Sequence, residues 1–240
     1  MPDPVQVRSM FGRIARRYDL LNRLLSAGID QRWRKRTVAK ARALLGSLEE
    51  STVLDSCCGT GDLSLAFAGT GARVLGVDFT PEMLEFALPK GEHSEREVLF
   101  ARGDAMALPF EDGQADISTV AFGIRNVADR LVGLREMARV VRADGWVLVL
   151  EFTQPPGPIF SRLYRFYFTR VLPLIGKAVS KDDAAYRYLP DTVLNWPLAP
   201  EFQREMEQVG LVDCGFEYLT RGIACLHWGR VQTKAPEASE

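Results

Sequence analysis

Apolar residues at Phe11, Ile14, Tyr18, Leu21, Leu24 and Leu25 recur at the three- and four-residue spacing of one helix face. They predict a helix over residues 8–26, with Arg13, Arg16, Arg17 and Arg23 largely on its other sides. A second helix is expected over 30–45, with Asp30 as its N-cap. From Thr52 the period changes. Short apolar runs at 52–55, 73–77, 97–101, 115–121 and 146–152 read as strands, with helical stretches at 62–69, 81–88 and 127–141 between them. That rhythm predicts a doubly wound α/β fold, a mostly parallel sheet with helices on both faces. A break at Pro155, Pro156 and Pro158 precedes an aromatic stretch from Ile159 to Ile175. Residues 200–209 read as a last helix, and 211–219 and 222–230 as strands close enough to pair antiparallel.

Composition narrows the class. At 240 residues the chain is long enough for one α/β domain with a sizeable core, and its 25% charged residues are ordinary for a soluble protein. No apolar run approaches the roughly 18 residues that span a bilayer, and the N-terminus lacks a signal-peptide pattern, so a cytoplasmic protein is expected. Cys57, Cys58, Cys214 and Cys225 form neither a CxxC pair nor a Cys/His cluster, so no metal site is expected, and buried free thiols are. The net charge of −1 hides an asymmetry. Residues 1–45 carry 11 Lys/Arg against 3 Asp/Glu, which suggests an anionic surface as partner. Nucleic acid is disfavoured, because the positive charge is confined to one end.

The chemistry-bearing residues sit at successive strand ends, where open α/β sheets bind ligands. The first set is Asp55 with the loop Gly59-Thr60-Gly61, whose glycines let backbone approach a ligand and whose following helix offers free N–H groups. Asp78 ends the next strand and is placed to present a carboxylate to ribose hydroxyls. Asp104 and Ala105 follow the third strand; an acid beside a small residue could bind an adenine amino group and leave room for its ring. The loop lacks the third glycine of G-x-G-x-x-G dinucleotide sites.

With Asp55-x-x-x-Gly59-x-Gly61, the chain resembles class I S-adenosylmethionine-dependent methyltransferases. The resemblance implies a seven-stranded sheet with a reversed last strand, an acid facing the donor's amino group and a loop passing its methionine part. Further stretches are similar to the menaquinone/ubiquinone C-methyltransferase family: Tyr18-Asp-Leu-Leu-Asn22 through Gly28 to Trp33-Arg34, Phe122-Gly-Ile-Arg125-Asn126, Glu136 to Val140, Tyr186-Arg-Tyr188-Leu, and Thr220 to Gly229. The likeness runs from about residue 8 to 230. It implies donor contacts at Thr60, Asp78, Asp104 and Ala105. It departs at Ala121, where the family often has Ser or Gly, and at Arg142-Ala-Asp-Gly145, which replaces a Lys-Pro-Gly-Gly turn.

The implied reaction methylates a ring carbon of a prenylated quinol, demethylmenaquinol or alternatively a polyprenyl benzoquinol, with another small-molecule methyltransferase as the wider alternative. A ring carbon needs an ionised neighbouring hydroxyl to attack, and a phenol has a pKa of about 10. Arg125 is the candidate stabiliser of the oxyanion, with a structural ion pair as its competing reading; Asn126 would orient donor or substrate. His227 has the pKa range of a base, or is a hydrogen-bonded core residue. Tyr18, Tyr186 and Tyr188 are candidate walls of the quinol pocket. His93, in a polar run, is expected to be solvated. The expected organisation is one methyltransferase domain over 1–240, comprising basic helices (1–46), donor-binding core (47–152), cap insertion (153–198), C-terminal helix and hairpin (199–230) and tail (231–240). Contact with the inner membrane face and a homodimer are left open.

Overall fold

The computed structural model describes residues 3–26, 28–94, 96–166, 170, 188, 190 and 192–232. Two helices, α1 (Pro4–Leu25) and α2 (Ile29–Leu45), come first. Then follow β1 (Thr52–Ser56), α3 (Asp62–Ala68), β2 (Arg73–Asp78), α4 (Pro81–Glu92), β3 (Val98–Arg102) and β4 (Ala115–Ala121). After a 3₁₀ turn at Ile124–Asn126 come α5 (Arg130–Arg139), β5 (Val141–Phe152), α6 (Pro158–Phe166), α7 (Ala199–Gln208), β6 (Leu211–Leu219) and β7 (Ala224–Val231). The seven strands form one sheet in the order β3-β2-β1-β4-β5-β7-β6. The first five are parallel, and β7 runs antiparallel to both β5 and β6. The doubly wound sheet with a reversed last strand is therefore present.

Alternation along the strands divides the core between two faces. Val53, Ile117, Leu148 and Leu150 face Trp33 and Ala41 of α2 and Phe67 of α3. Leu54, Val120, Val147 and Val149 face Leu134 and Met137 of α5 and Phe202 and Met206 of α7. Strands buried on both faces read as continuous apolar runs, which is why their extents were legible.

The differences from the sequence reading are at boundaries. The first helix begins at Pro4, ahead of the apolar stripe. Asp30 is not the N-cap of α2; a left-handed Gly28 holds that place, and the Asp30 carboxylate, inside the helix, accepts from Ser26 Oγ and pairs with Arg34. Asp129 caps α5, accepting from Leu131 and Val132 N–H at 2.9 and 3.2 Å. Strand β5 starts at Val141 rather than 146, because Arg142–Gly145 is absorbed as a register shift between the Ala115 and Ile117 pairings. The aromatic stretch is helical from Pro158 to Phe166; its remainder lies largely outside the described residues.

Leu148 is wholly buried at the centre of β5. Leu148→Ala should lower the unfolding free energy by about 2–5 kcal/mol, read as a drop in the urea midpoint with an unchanged slope.

Candidate active site

The strand order reverses at β1, between β2 and β4. Crossovers leave to opposite faces there and open a crevice at the carboxyl ends of the strands. The loop leaving β1 enters it through Cys57 (φ 54°) and turns at Gly59 (φ 56°) and Gly61 (φ 82°), the latter capping α3. A Cβ on Gly61 would sit 2.8 Å from the Phe100 ring. The loop is fixed to its neighbour by Asp78, whose Oδ2 accepts Gly59 N–H at 2.8 Å while Oδ1 accepts Thr80 N–H at 2.8 Å. One carboxylate thus joins the end of β1 to the start of α4 and keeps a second lone pair on each oxygen for a ligand. Burial raises its pKa, and the hydrogen bonds from Thr80 and Gly59 pull it back.

A cavity of about 100 Å³, open to solvent, lies in the crevice. Tyr18, Gly59, Asp78, Asp104, Ala105 and Asn126 all line it. Ala121, the departure from the family pattern, is in the wall as well. Asp104 Oδ1 accepts Met106 N–H at 2.8 Å, which fixes the turn carrying Ala105. Asp55, Thr60 and Gly61 are not in the wall. Asp55 lies behind it, 1% exposed, accepting from Ser64 Oγ at 2.6 Å. Its desolvation raises the carboxyl pKa to about 7, against the Ser64 hydrogen bond and the Arg34 charge.

Thr60 has a partner the sequence did not reveal. Its hydroxyl donates to Asp19 of α1 at 2.6 Å, and Lys90 Nζ bridges Asp19 and Asp62 at 2.8 Å each. Pro4, Val7 and Phe11 join Tyr18 in the cavity wall, so α1 roofs the site. Its apolar stripe was legible, but nothing local indicated what it covers.

Beyond β4, Phe122 takes a positive φ of 58°, and a Cβ on Gly123 would lie 2.4 Å from Cys57 Cβ. The Phe-Gly pair is thus a close crossing of two loops. It turns Arg125 inward, where Nη1 donates to Phe122 O and to Glu151 Oε1, each at 2.6 Å. This ion pair is buried, with side chains 7% and 1% exposed. Arg125 also stacks over Phe152, its Cζ 5.4 Å from the ring centroid. Glu151 escaped the sequence reading; an acid within Val147-Leu-Val-Leu-Glu151-Phe was its signal. Tyr188 is near enough for the Arg125 and Glu151 charges to act on its hydroxyl, which burial raises above the usual tyrosine value. Tyr186 lies outside the described residues.

His227 is a correction. It points into the α7 side of the sheet, fully buried between Phe202 and Phe216, with Nε2 3.0 Å from Ala199 O. Burial lowers its pKa to about 4, so it is neutral at physiological pH, and it does not line the cavity. His93 is exposed at the end of α4. All four cysteines are free, and burial raises the Cys57 and Cys58 thiols well above their ordinary value.

The site suits a nucleoside ligand carrying an amino acid chain: a glycine cradle, a buried carboxylate with spare lone pairs and an acid beside alanine share one cavity. Comparison with known proteins agrees. The ubiE/COQ5 methyltransferase family matches residues 3–231. The ubiquinone/menaquinone biosynthesis C-methyltransferase UbiE of Citrifermentans bemidjiense is 46% identical over 229 residues, 93% of this chain and 95% of that protein. The demethylmenaquinone methyltransferase of Thermus thermophilus is 47% identical over 224 residues, 92% and 99% of the two chains. Among solved structures, a SAM-dependent methyltransferase of Thermotoga maritima superposes with a TM-score of 0.65 at 17% identity, covering 93% of this chain and 99% of that one. Haemonchus contortus phosphoethanolamine N-methyltransferase 2 in complex with S-adenosyl-L-methionine gives 0.62 at 14%, covering 82% and 52%. These two share the fold.

The raised pKa of Asp55 has a testable sign. The folded protein holds this proton more tightly than the unfolded chain, so Asp55 favours folding below about pH 4 and loses that contribution as pH rises through 7. Unfolding free energies of Asp55→Asn minus wild type should rise by a few kcal/mol, on the order of the shift, between pH 4 and 7. Parallel pH curves for the two proteins would show that Asp55 ionises as in the unfolded chain.

Proposed function

The chain belongs to the ubiE/COQ5 methyltransferase family, and from that premise we propose that it methylates demethylmenaquinol to menaquinol. It is an S-adenosylmethionine-dependent C-methyltransferase of quinone biosynthesis. The naphthoquinol nucleus is favoured over a benzoquinol by the relatives named for demethylmenaquinone, at 47% and 38% identity. The observation that carries the reading is the juxtaposition of the donor cavity, with Asn126 in its wall, and the buried guanidinium of the adjacent Arg125.

In this reading Gly59 cradles the methionine portion of the donor, with Gly61 turning the loop into α3 behind it, Asp78 binds the ribose hydroxyls, and Asp104 with Ala105 receives the adenine. Asp55 and Thr60 act from behind, Asp55 through Ser64 of α3 and Thr60 through Asp19. Bound S-adenosylmethionine supplies an electrophilic methyl group on a sulfonium. The chain supplies alignment, exclusion of water beneath α1, and stabilisation of charge on the acceptor. Arg125, desolvated and fixed by two hydrogen bonds, is preorganised to stabilise a quinolate oxygen, an effect far stronger in a dry site than in water. Asn126 orients the partners, and Tyr18 and Tyr188 wall the ring.

The prenyl tail calls for an apolar surface. Among the described residues no helix is long and apolar enough to cross a membrane. The cationic α1 and α2, with Val5 and Phe166 75% and 58% exposed, suit contact with an anionic membrane face on the cytoplasmic side.

Purified protein with labelled S-adenosylmethionine and reduced demethylmenaquinone should place label in menaquinol, with kcat/KM for the naphthoquinol above that for a benzoquinol. Tight donor binding without transfer to any quinol would support a donor-binding module instead, and label in RNA alone would overturn the quinol assignment. Arg125→Ala should lower kcat by about 10²–10³-fold while leaving donor affinity nearly unchanged in calorimetry. Equal losses in both would make Arg125 a structural residue.

A further inference from the structure

Behind the cavity wall at Asn126, the one member that lines it, lies a group of buried polar atoms without hydrogen-bond partners among the described residues: Arg125 Nε, Asn126 Oδ1, Glu151 Oε2, Thr153 Oγ1 and Tyr188 Oη. They are neighbours. Arg125 and Glu151 are bonded, and Asn126 Nδ2 reaches the same Phe122 carbonyl as Arg125, at 3.4 Å. Thr153 follows Glu151 by two residues, and Tyr188 feels both charges of the pair. Each unpartnered atom opposes folding when buried, because its hydration is lost without replacement. A buried ion pair is itself weak support for stability, since apolar side chains of the same volume commonly do as well. Folding therefore gives no reason for this cluster, whereas a polar ligand that completes it does.

The two oxygens of Glu151 are not equivalent. Oε1 is saturated, accepting Arg125 Nη1 at 2.6 Å and Phe152 N–H at 2.8 Å. Oε2 is buried and has no hydrogen-bond partner among the described residues. We propose that Glu151 Oε2 accepts the proton of the quinol ring hydroxyl, while Arg125 holds the oxyanion that this leaves; the inference rests on the quinol reading given above. The hydroxyl O–H bond breaks and a new O–H bond forms on Oε2. The electron pair stays on the ring oxygen and is shared with the ortho carbon. When that carbon has taken the methyl group, its hydrogen leaves as a proton to solvent, and Glu151 returns its own proton to the ring oxygen. The net change is one proton released per methyl transferred, with Glu151 restored.

The surroundings suit this role. Burial raises the proton affinity of Glu151 above that of an ordinary glutamate, and the Arg125 charge draws it back. Among the described residues, the other titratable groups facing it are Cys57 from the loop after β1, Tyr188 from the stretch before α7, and Cys225 opposite it on β7. Burial raises Cys57 well above its usual value, Cys225 to about 12 and Tyr188 above 10, so none of the three competes for the proton near neutrality.

The test uses the full chain and two readouts. The first needs no donor: a nitro-substituted naphthol, whose absorption separates naphthol from naphtholate, is bound at a pH well below its own pKa. Calorimetry in two buffers of different ionisation enthalpy counts protons released. Wild type should bind naphtholate and release no proton, because Glu151 keeps it; Glu151→Gln should release a proton or bind the neutral naphthol. A wild type that binds naphtholate and passes the proton to buffer, or binds only neutral naphthol, overturns the inference. The second is turnover against pH. Glu151→Gln should lower kcat about 10²–10⁴-fold and abolish the acid limb seen in wild type, with donor affinity unchanged. Glu151→Asp, which keeps a carboxylate should the Gln variant not fold, should retain the limb at a reduced rate. If wild type methylates the quinol and Glu151→Gln stays within about threefold with the same acid limb, Glu151 has no such role although the function stands. If wild type binds the donor and methylates no quinol, the function itself is wrong and the role falls with it.

Discussion

The site depends on one constraint: β1 is paired in parallel on both sides, with β2 and with β4, and the chain winds away from it in opposite directions. A strand so placed has no exposed edge and no exposed face. Its central side chains, Val53 and Leu54, are accordingly apolar, and the acid Asp55 and Ser56 stand at its carboxyl end. Because the connections diverge there, no helix fills the crevice, and the backbone N–H groups of the loop and the start of α3 are left for a ligand. The Asp78 carboxylate then locks the crevice by tying Gly59 to Thr80.

Desolvation is the second common thread. Asp55, Asp78 and Glu151 all end apolar runs and are all 8% exposed or less. Each is raised in pKa by burial, and each is drawn back by a specific neighbour: Ser64, the Thr80 and Gly59 amides, and Arg125. Three carboxyl groups buried at the carboxyl ends of β2, β1 and β5 oppose folding by themselves. Their grouping matches a cationic, hydroxyl-bearing donor and an acceptor that must lose a proton. The aromatic contacts serve the same end. Phe122 and Phe152 lie 4.6 Å apart, with Arg34 near the first and Arg125 near the second, which keeps water from the guanidinium groups.

Roofing by α1 is a third, looser element. Its link to the loop is polar, through Asp19 to Thr60 and Lys90, and these ion-pair side chains are partly exposed. Such contacts contribute modestly in water, so the roof is held far less firmly than the sheet beneath it. That division suits a protein that must admit a nucleoside and a lipid to one cavity: the binding groups sit on rigid strand ends, and the covering helix is attached by the weaker bonds.

The sequence alone determined the order of strands and helices, the parallel core, the antiparallel hairpin and the candidate donor residues, because each follows from local periodicity or from glycine and acid placement at strand ends. Asp78, Asp104 and Ala105 were legible for that reason and Asn126 through the family resemblance, and all four meet in the cavity. Tertiary structure decided the rest. Whether Arg125 faces solvent or a carboxylate depends on where β5 places Glu151, 26 residues away; whether His227 meets the cavity or the core depends on which face of β7 it occupies. The roofing by α1, the Thr60–Asp19 bond and the Arg125–Glu151 pair join residues far apart in the chain. Periodicity tells which face of an element is buried, but the neighbour that buries it is fixed only when the elements pack.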